Sequence, residues 1–78
     1  MRYIVHTERG AVYNLGGPHL TWQRVNPERP ISNMGETQGV LKVMPIVILN
    51  RSMVLEIVDN KYEIITTSRV THAECWDD

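Results

Sequence analysis

The sequence predicts an all-β fold, a small partly open β-barrel of five to seven short strands with one long loop. Three observations predict it. Apolar and polar residues alternate with the two-residue period of a strand in several short runs. Turn residues punctuate those runs at close intervals. No segment sustains a helical period, and Asn33 onward holds one helical turn at most.

The elements follow in order. Around Arg2–His6, Tyr3 and Val5 share one face, while Arg2, Ile4 and His6 share the other. Glu8-Arg9-Gly10 is a turn signal, and Ala11–Leu15 is the return strand of a hairpin, stopped by Gly16-Gly17-Pro18. In Leu20–Val25, Leu20, Trp22 and Arg24 fall on one face, with Thr21, Gln23 and Val25 on the other. Asn26–Gly39 carries two Pro, two Gly and two Asn, and reads as a loop much longer than the usual ~4–6 residues. Val40–Met44 and Ile46–Leu49 read as two apolar strands, or as one bent at Pro45, which cannot donate to a ladder. Asn50-Arg51-Ser52 is a turn. Met53–Val58 and Tyr62–Thr67 flank Asp59-Asn60-Lys61, a hairpin signal. A two-residue loop sets Ile57 against Tyr62, Leu55 against Ile64 and Met53 against Thr66. It also sets Glu56 against Glu63, an unfavourable pairing that a three-residue loop avoids. Thr67-Ser68-Arg69 reads as a tight turn into a last strand, Val70–Glu74, with a polar tail at Trp76-Asp77-Asp78.

Composition bounds the rest. The chain has 78 residues, read as a single domain over 1–78, and a domain of this size buries only ~60% of its unfolded surface. Its hydrophobic fraction of 42% is too high for a disordered chain. Eight basic and nine acidic residues give a net charge of −1, which argues against a protein that coats DNA or a membrane surface. One Cys allows no internal disulfide, so a reducing, cytoplasmic setting is expected. No signal-peptide pattern follows Arg2, and Val40–Leu49 is too short for a membrane span.

The strand spacing over Val40–Glu74, with the turn-then-strand element Thr67-Ser68-Arg69-Val70, is similar to the small barrels of the Src-homology and Sm-like kind. The resemblance implies a fold and carries no binding residues across.

Ile46, Val47, Ile48 and Leu49 are apolar on both strand faces, and Val54, Val58 and Ile65 fall on the outward face of the expected hairpin. Uncovered apolar patches of this kind mark interfaces. The expectation is a homo-oligomer, most simply a dimer, joined through Ile46, Val47, Ile48, Val54 and Val58. The alternative is a central barrel strand buried on both faces by the chain's own folding.

Chemical constellations are sparse. His72 and Cys75 supply two metal ligands, and strand alternation sends them to opposite faces, so no metal or cofactor is expected. The same pair lacks an oxyanion loop and an orienting partner, and Ser52 and Ser68 lack a nucleophile-elbow context. Glu56 and Glu63 read as a solvated face rather than an acid–base pair. Gly16-Gly17 precedes Pro18 and no helix, so it is no phosphate loop. Trp22, Arg24 and Arg29, with Tyr13 and His19 before them, combine aromatics and guanidiniums that stack bases and pair phosphates. The competing reading puts Trp22 in the core beside Leu20 with Arg24 at its rim.

These features favour a non-catalytic binding module over an enzyme. It would hold a protein partner or a small anionic ligand, with Trp22, Arg24, Arg29 and Arg69 as binding residues. In type it resembles the accessory and inhibitor proteins of bacteriophages and mobile elements. An RNA- or single-strand-binding barrel, and a structural subunit of a larger assembly, are the alternatives. The charge balance disfavours nucleic acid.

Overall fold

A computed structural model describes residues 1–26, 38–58 and 63–76. Six strands follow in order: β1 (Arg2–Thr7), β2 (Val12–Gly16), β3 (Thr21–Asn26), β4 (Gln38–Leu41), β5 (Ser52–Val58) and β6 (Glu63–Trp76). Each pairs antiparallel with the next, and β6 returns to pair with β1, which closes a small barrel. The all-β barrel is the fold that the alternation predicts.

The first hairpin forms where the sequence places it. Thr7 donates its amide and its hydroxyl to Ala11 O, at 2.9 and 3.2 Å, and Gly10 N donates to Thr7 O. In β1, Val5 and Thr7 point inward, and Tyr13 and Leu15 of β2 join them. In β3 the expected face also points inward: Trp22 is fully buried and Arg24 half-buried, while Thr21, Gln23 and Val25 face out.

Trp22 is the largest buried side chain, and Gly39 sits directly across from it. A Cβ on Gly39 would lie 2.7 Å from Trp22 Nε1 and 3.2 Å from Cε2. The indole therefore lies against bare backbone, and only glycine leaves it room. Val5, Leu15, Leu41, Met53, Leu55, Ile57 and Val70 belong to the same buried core. Gly16 meets a second steric limit at the end of β2. Its φ is +100°, and a Cβ there would stand 2.5 Å from Met1 O and 2.9 Å from Met44 Cε.

The second half departs from expectation in three places, each for a physical reason. First, Ile46–Leu49 is not a strand, and β4 ends at Leu41. Pro45 removes a ladder donor there, and the chain instead alternates as a connection. Met44 and Val47 pack against the core, while Ile46 and Ile48 turn outward. Val47, expected in an oligomer interface, is thus partly engaged inside its own barrel.

Second, the β5–β6 register is one residue off the two-residue-loop pairing. Ile57 faces Glu63, Glu56 faces Ile64, Leu55 faces Ile65 and Val54 faces Thr66. This separates Glu56 from Glu63, as a three-residue loop would. On β6 it turns Ile65 inward and leaves Ile64 outward at 66% exposure, the reverse of the expected faces. Asp59-Asn60-Lys61 and Tyr62 lie outside the described residues, as do 27–37 of the expected long loop.

Third, Thr67-Ser68-Arg69 is no turn. The strand runs through it, so two expected strands are one of 14 residues. Its first half pairs with β5 and its second half with β1. Both ladders slip where they change over, between Ser52 and Val54 on β5 and between His6 and Thr7 on β1. Bulges bend a strand. Two of them at one place allow a continuous strand to turn a barrel corner. Thr67, buried at this corner, accepts a hydrogen bond from Met53 N at 3.1 Å and donates to Ser68 O at 2.7 Å.

The Gly39 contact sets a test. Gly39→Ala should lower stability by about 1–3 kcal/mol, as overpacking does. In urea unfolding, the added cost of Gly39→Ala should shrink in a Trp22→Phe background, because the smaller ring vacates the space. Strictly additive effects would show that the ring is not what excludes the Cβ.

Candidate functional site

Of the expected binding residues, the three that are described, Trp22, Arg24 and Arg69, do not converge on one surface. Trp22 has no exposed surface, so its ring presents no face on which a base or ligand stacks. Arg24 is half-buried two residues along β3, with its guanidinium carbon 6.0 Å from the centroid of the Tyr13 ring. That placement matches the rim position that competes with a binding role for it. Trp22 Nε1 and Arg24 Nε are both buried and have no hydrogen-bond acceptor among the described residues. Unpaired buried donors of this kind cost about 1–3 kcal/mol each, so an acceptor reaching either one gains that much. Arg29 lies outside the described residues. Arg69 is exposed, far along the chain at the β6 corner.

Two surface features gather the remaining candidates. The first is a groove of about 390 Å³ between the connection after β4 and the outer face of β5. Val43, Met44, Pro45, Ile46 and Ile48 line one side, with Ser52, Val54 and Glu56 on the other. Ile46 is 78% exposed, and Val43, Ile48 and Val54 are each nearly half exposed. Val58 continues the apolar surface on β5 and stands directly opposite Val40 on β4, both also nearly half exposed. Of the five expected interface residues, Ile46, Ile48, Val54 and Val58 thus present outward surface together. Val43 and Val40 join them. Val40 faces out by alternation with buried Leu41, whereas Val43, which a continued strand would turn inward with Leu41, faces out because β4 stops at Leu41.

The second is a polar cleft of about 300 Å³ at the β6 corner, lined by Glu8, Arg9, Ser52, Thr66, Thr67, Ser68 and Arg69. Only Arg69 was expected to bind anything. Thr66, Thr67 and Ser68 lie beside it on β6, while Glu8 and Arg9 come from the β1–β2 turn and Ser52 from β5, and these three elements meet because β6 pairs on both sides. No local spacing signals that meeting.

Other chemistry-bearing groups are dispersed. His6 and His72 face each other across β1 and β6, ring centroids 5.4 Å apart at 68°. Cys75 is free and exposed. Among the described residues no three His, Cys, Asp or Glu side chains cluster to hold a metal ion. Among the described residues no helix is long and apolar enough to cross a membrane.

No protein-family model matches the chain, and neither a curated protein nor a solved structure shows significant similarity to it.

The Tyr13–Arg24 contact has a pH consequence. Burial raises the Tyr13 pKa above 10.0, and the nearby Arg24 charge opposes that rise. A folded-state pKa above the unfolded value gives stability that is present below the unfolded pKa and lost as pH rises through the folded one. Stability should therefore fall as pH climbs past 10.0, and Tyr13→Phe should flatten that fall. Arg24→Met should move the Tyr13 transition to still higher pH in an ultraviolet titration of the phenol. A transition that moves down instead would rule out the Arg24 contribution.

Proposed function

We propose that this protein is a non-catalytic binding module that works as a homo-oligomer, a dimer in the simplest case. Through the assembled surface it binds and modulates a protein partner or a small anionic ligand. The observation that carries this reading is the apolar outer surface of Val40, Val43, Ile46, Ile48, Val54 and Val58, grooved along β5. Soluble monomers seldom leave contiguous apolar surface of this kind in water. Each Å² of apolar area removed from water returns about 25 cal/mol, a useful gain for a domain with so small a core.

A second copy of the chain suits this surface. Every strand of the barrel has two neighbours, so a partner must lie on the face rather than add a strand at an edge. With a net charge of −1, two copies approach with little repulsion. An accessory or inhibitory role, of the type that small bacteriophage and mobile-element proteins have, fits a compact surface built for contact. A cytoplasmic setting fits the single unpaired cysteine. The burial of Trp22 removes the stacking platform on which a nucleic-acid-binding reading would rest.

Sedimentation equilibrium at micromolar concentration should give a mass near twice 9.0 kDa. Ile46→Asp and Val54→Asp, both on exposed positions, should return the 9.0 kDa species with the fold intact by circular dichroism. A wild-type chain that sediments only as the 9.0 kDa species would remove the self-association.

A further inference from the structure

We propose that the polar cleft at the β6 corner is a phosphate-binding site, in which Arg9 and Arg69 hold inorganic phosphate or the phosphate group of a small monoester. The proposal rests on the reading of the protein as a binding module and gives its anionic ligand a chemical class and a place.

The cleft is built by the backbone. The two ladder slips both fall where β6 changes partners, each with the extra residue on β6, and the concavity lies at that corner. Bulges recur beside binding sites because they re-aim side chains. The β1–β2 turn is fixed over this concavity by Glu8 N, which donates to Arg69 O at 2.8 Å, and by Gly10 N, which donates to Thr7 O at 2.9 Å. Arg9 on the turn and Arg69 on the strand therefore sit on one hydrogen-bonded frame. Val70 N donates to Arg51 O on the far side, which anchors the start of β5 as well.

The side chains suit an anion. Arg9 and Arg69 line a cleft of about 300 Å³, and neither guanidinium has an ion pair with another described residue. Guanidinium groups match phosphate oxygens two at a time. Ser52, Thr66 and Ser68 add hydroxyl donors. The Thr67 hydroxyl is committed to Met53 N and Ser68 O, so it shapes the wall without serving a ligand. Glu8 is the one acidic member and leaves the lining one positive charge in excess. The volume holds a phosphate with a modest substituent and stands at the small end of the range for ligand sites.

The test is a ¹⁵N NMR titration of the full chain at low ionic strength. Sodium phosphate is one arm, glycerol phosphate the second, and sodium chloride at matched ionic strength the control. Saturable shifts at the amides of Glu8, Arg9, Thr66, Ser68 and Arg69 are expected with both phosphates and not with chloride. Arg9→Gln and Arg69→Gln should each weaken binding about tenfold or more, while Glu8→Gln should tighten it. Equal affinity for the two arms assigns the site to the free anion, and tighter binding of the ester assigns it to a phosphorylated small molecule. Shifts that never saturate, or that survive Arg69→Gln unchanged, would overturn the proposal. None of these three residues lines the apolar groove, so sedimentation of the same variants reads the two ideas apart. A chain that self-associates but ignores phosphate loses this site and keeps its binding-module reading.

Discussion

The fit of one indole against one glycine governs this barrel. Trp22 fills the interior, and Gly39 on the neighbouring strand leaves out the Cβ that would collide with it. Trp22 is the largest side chain of this small core, and its fit against Gly39 bears on how closely β3 and β4 approach. It also decides what Trp22 can do. A residue that looks, beside Arg24, like half of a nucleic-acid contact is the structural centre instead. The surfaces left for recognition are those the core does not need.

Much of the first half was legible because local pattern and fold agree there. The alternation of Tyr3 and Val5 gave the inward face of β1, and Gly10 and Gly16 mark the turns that bound β2. Trp22 and Arg24 were correctly placed on one face. The second half resisted for reasons that lie beyond local pattern. Ile46–Leu49 has strand composition, but Pro45 and the pull of Met44 and Val47 into the core make it a connection. The Glu56–Glu63 repulsion was visible in the sequence and pointed to the register that forms, yet the turn signal alone favours the other. Thr67-Ser68-Arg69 carries turn residues and lies inside a strand, because β5 pairs with it on one side and β1 takes over just beyond, so the chain turns the corner without leaving the sheet.

The same contrast holds for the candidate sites. The apolar surface was legible in outline, since Ile46, Ile48, Val54 and Val58 are outward by simple alternation. The polar cleft was not. Arg9 and Arg69 come to one cleft through the β1–β6 pairing and the Glu8–Arg69 backbone bond that extends it, which join residues far apart in the sequence. Ser52 lines both the groove and the cleft, so the two surfaces share a wall. An occupant of one is placed to influence the other.

The pairing of β1 with the second half of β6 also bears on how the protein reaches its fold. Arg2 stands opposite Trp76 and Ile4 opposite Glu74, contacts between the extremes of the sequence. Such distant contacts slow folding, because loop entropy is lost before they form. During synthesis, β1 waits for almost the whole chain before its second neighbour exists. Until then Val5 has no Val70 or Ala73 to pack with, and the early hairpin offers an open edge. The interval before the last strand arrives is therefore when this chain is most exposed to aggregation and to capture by chaperones.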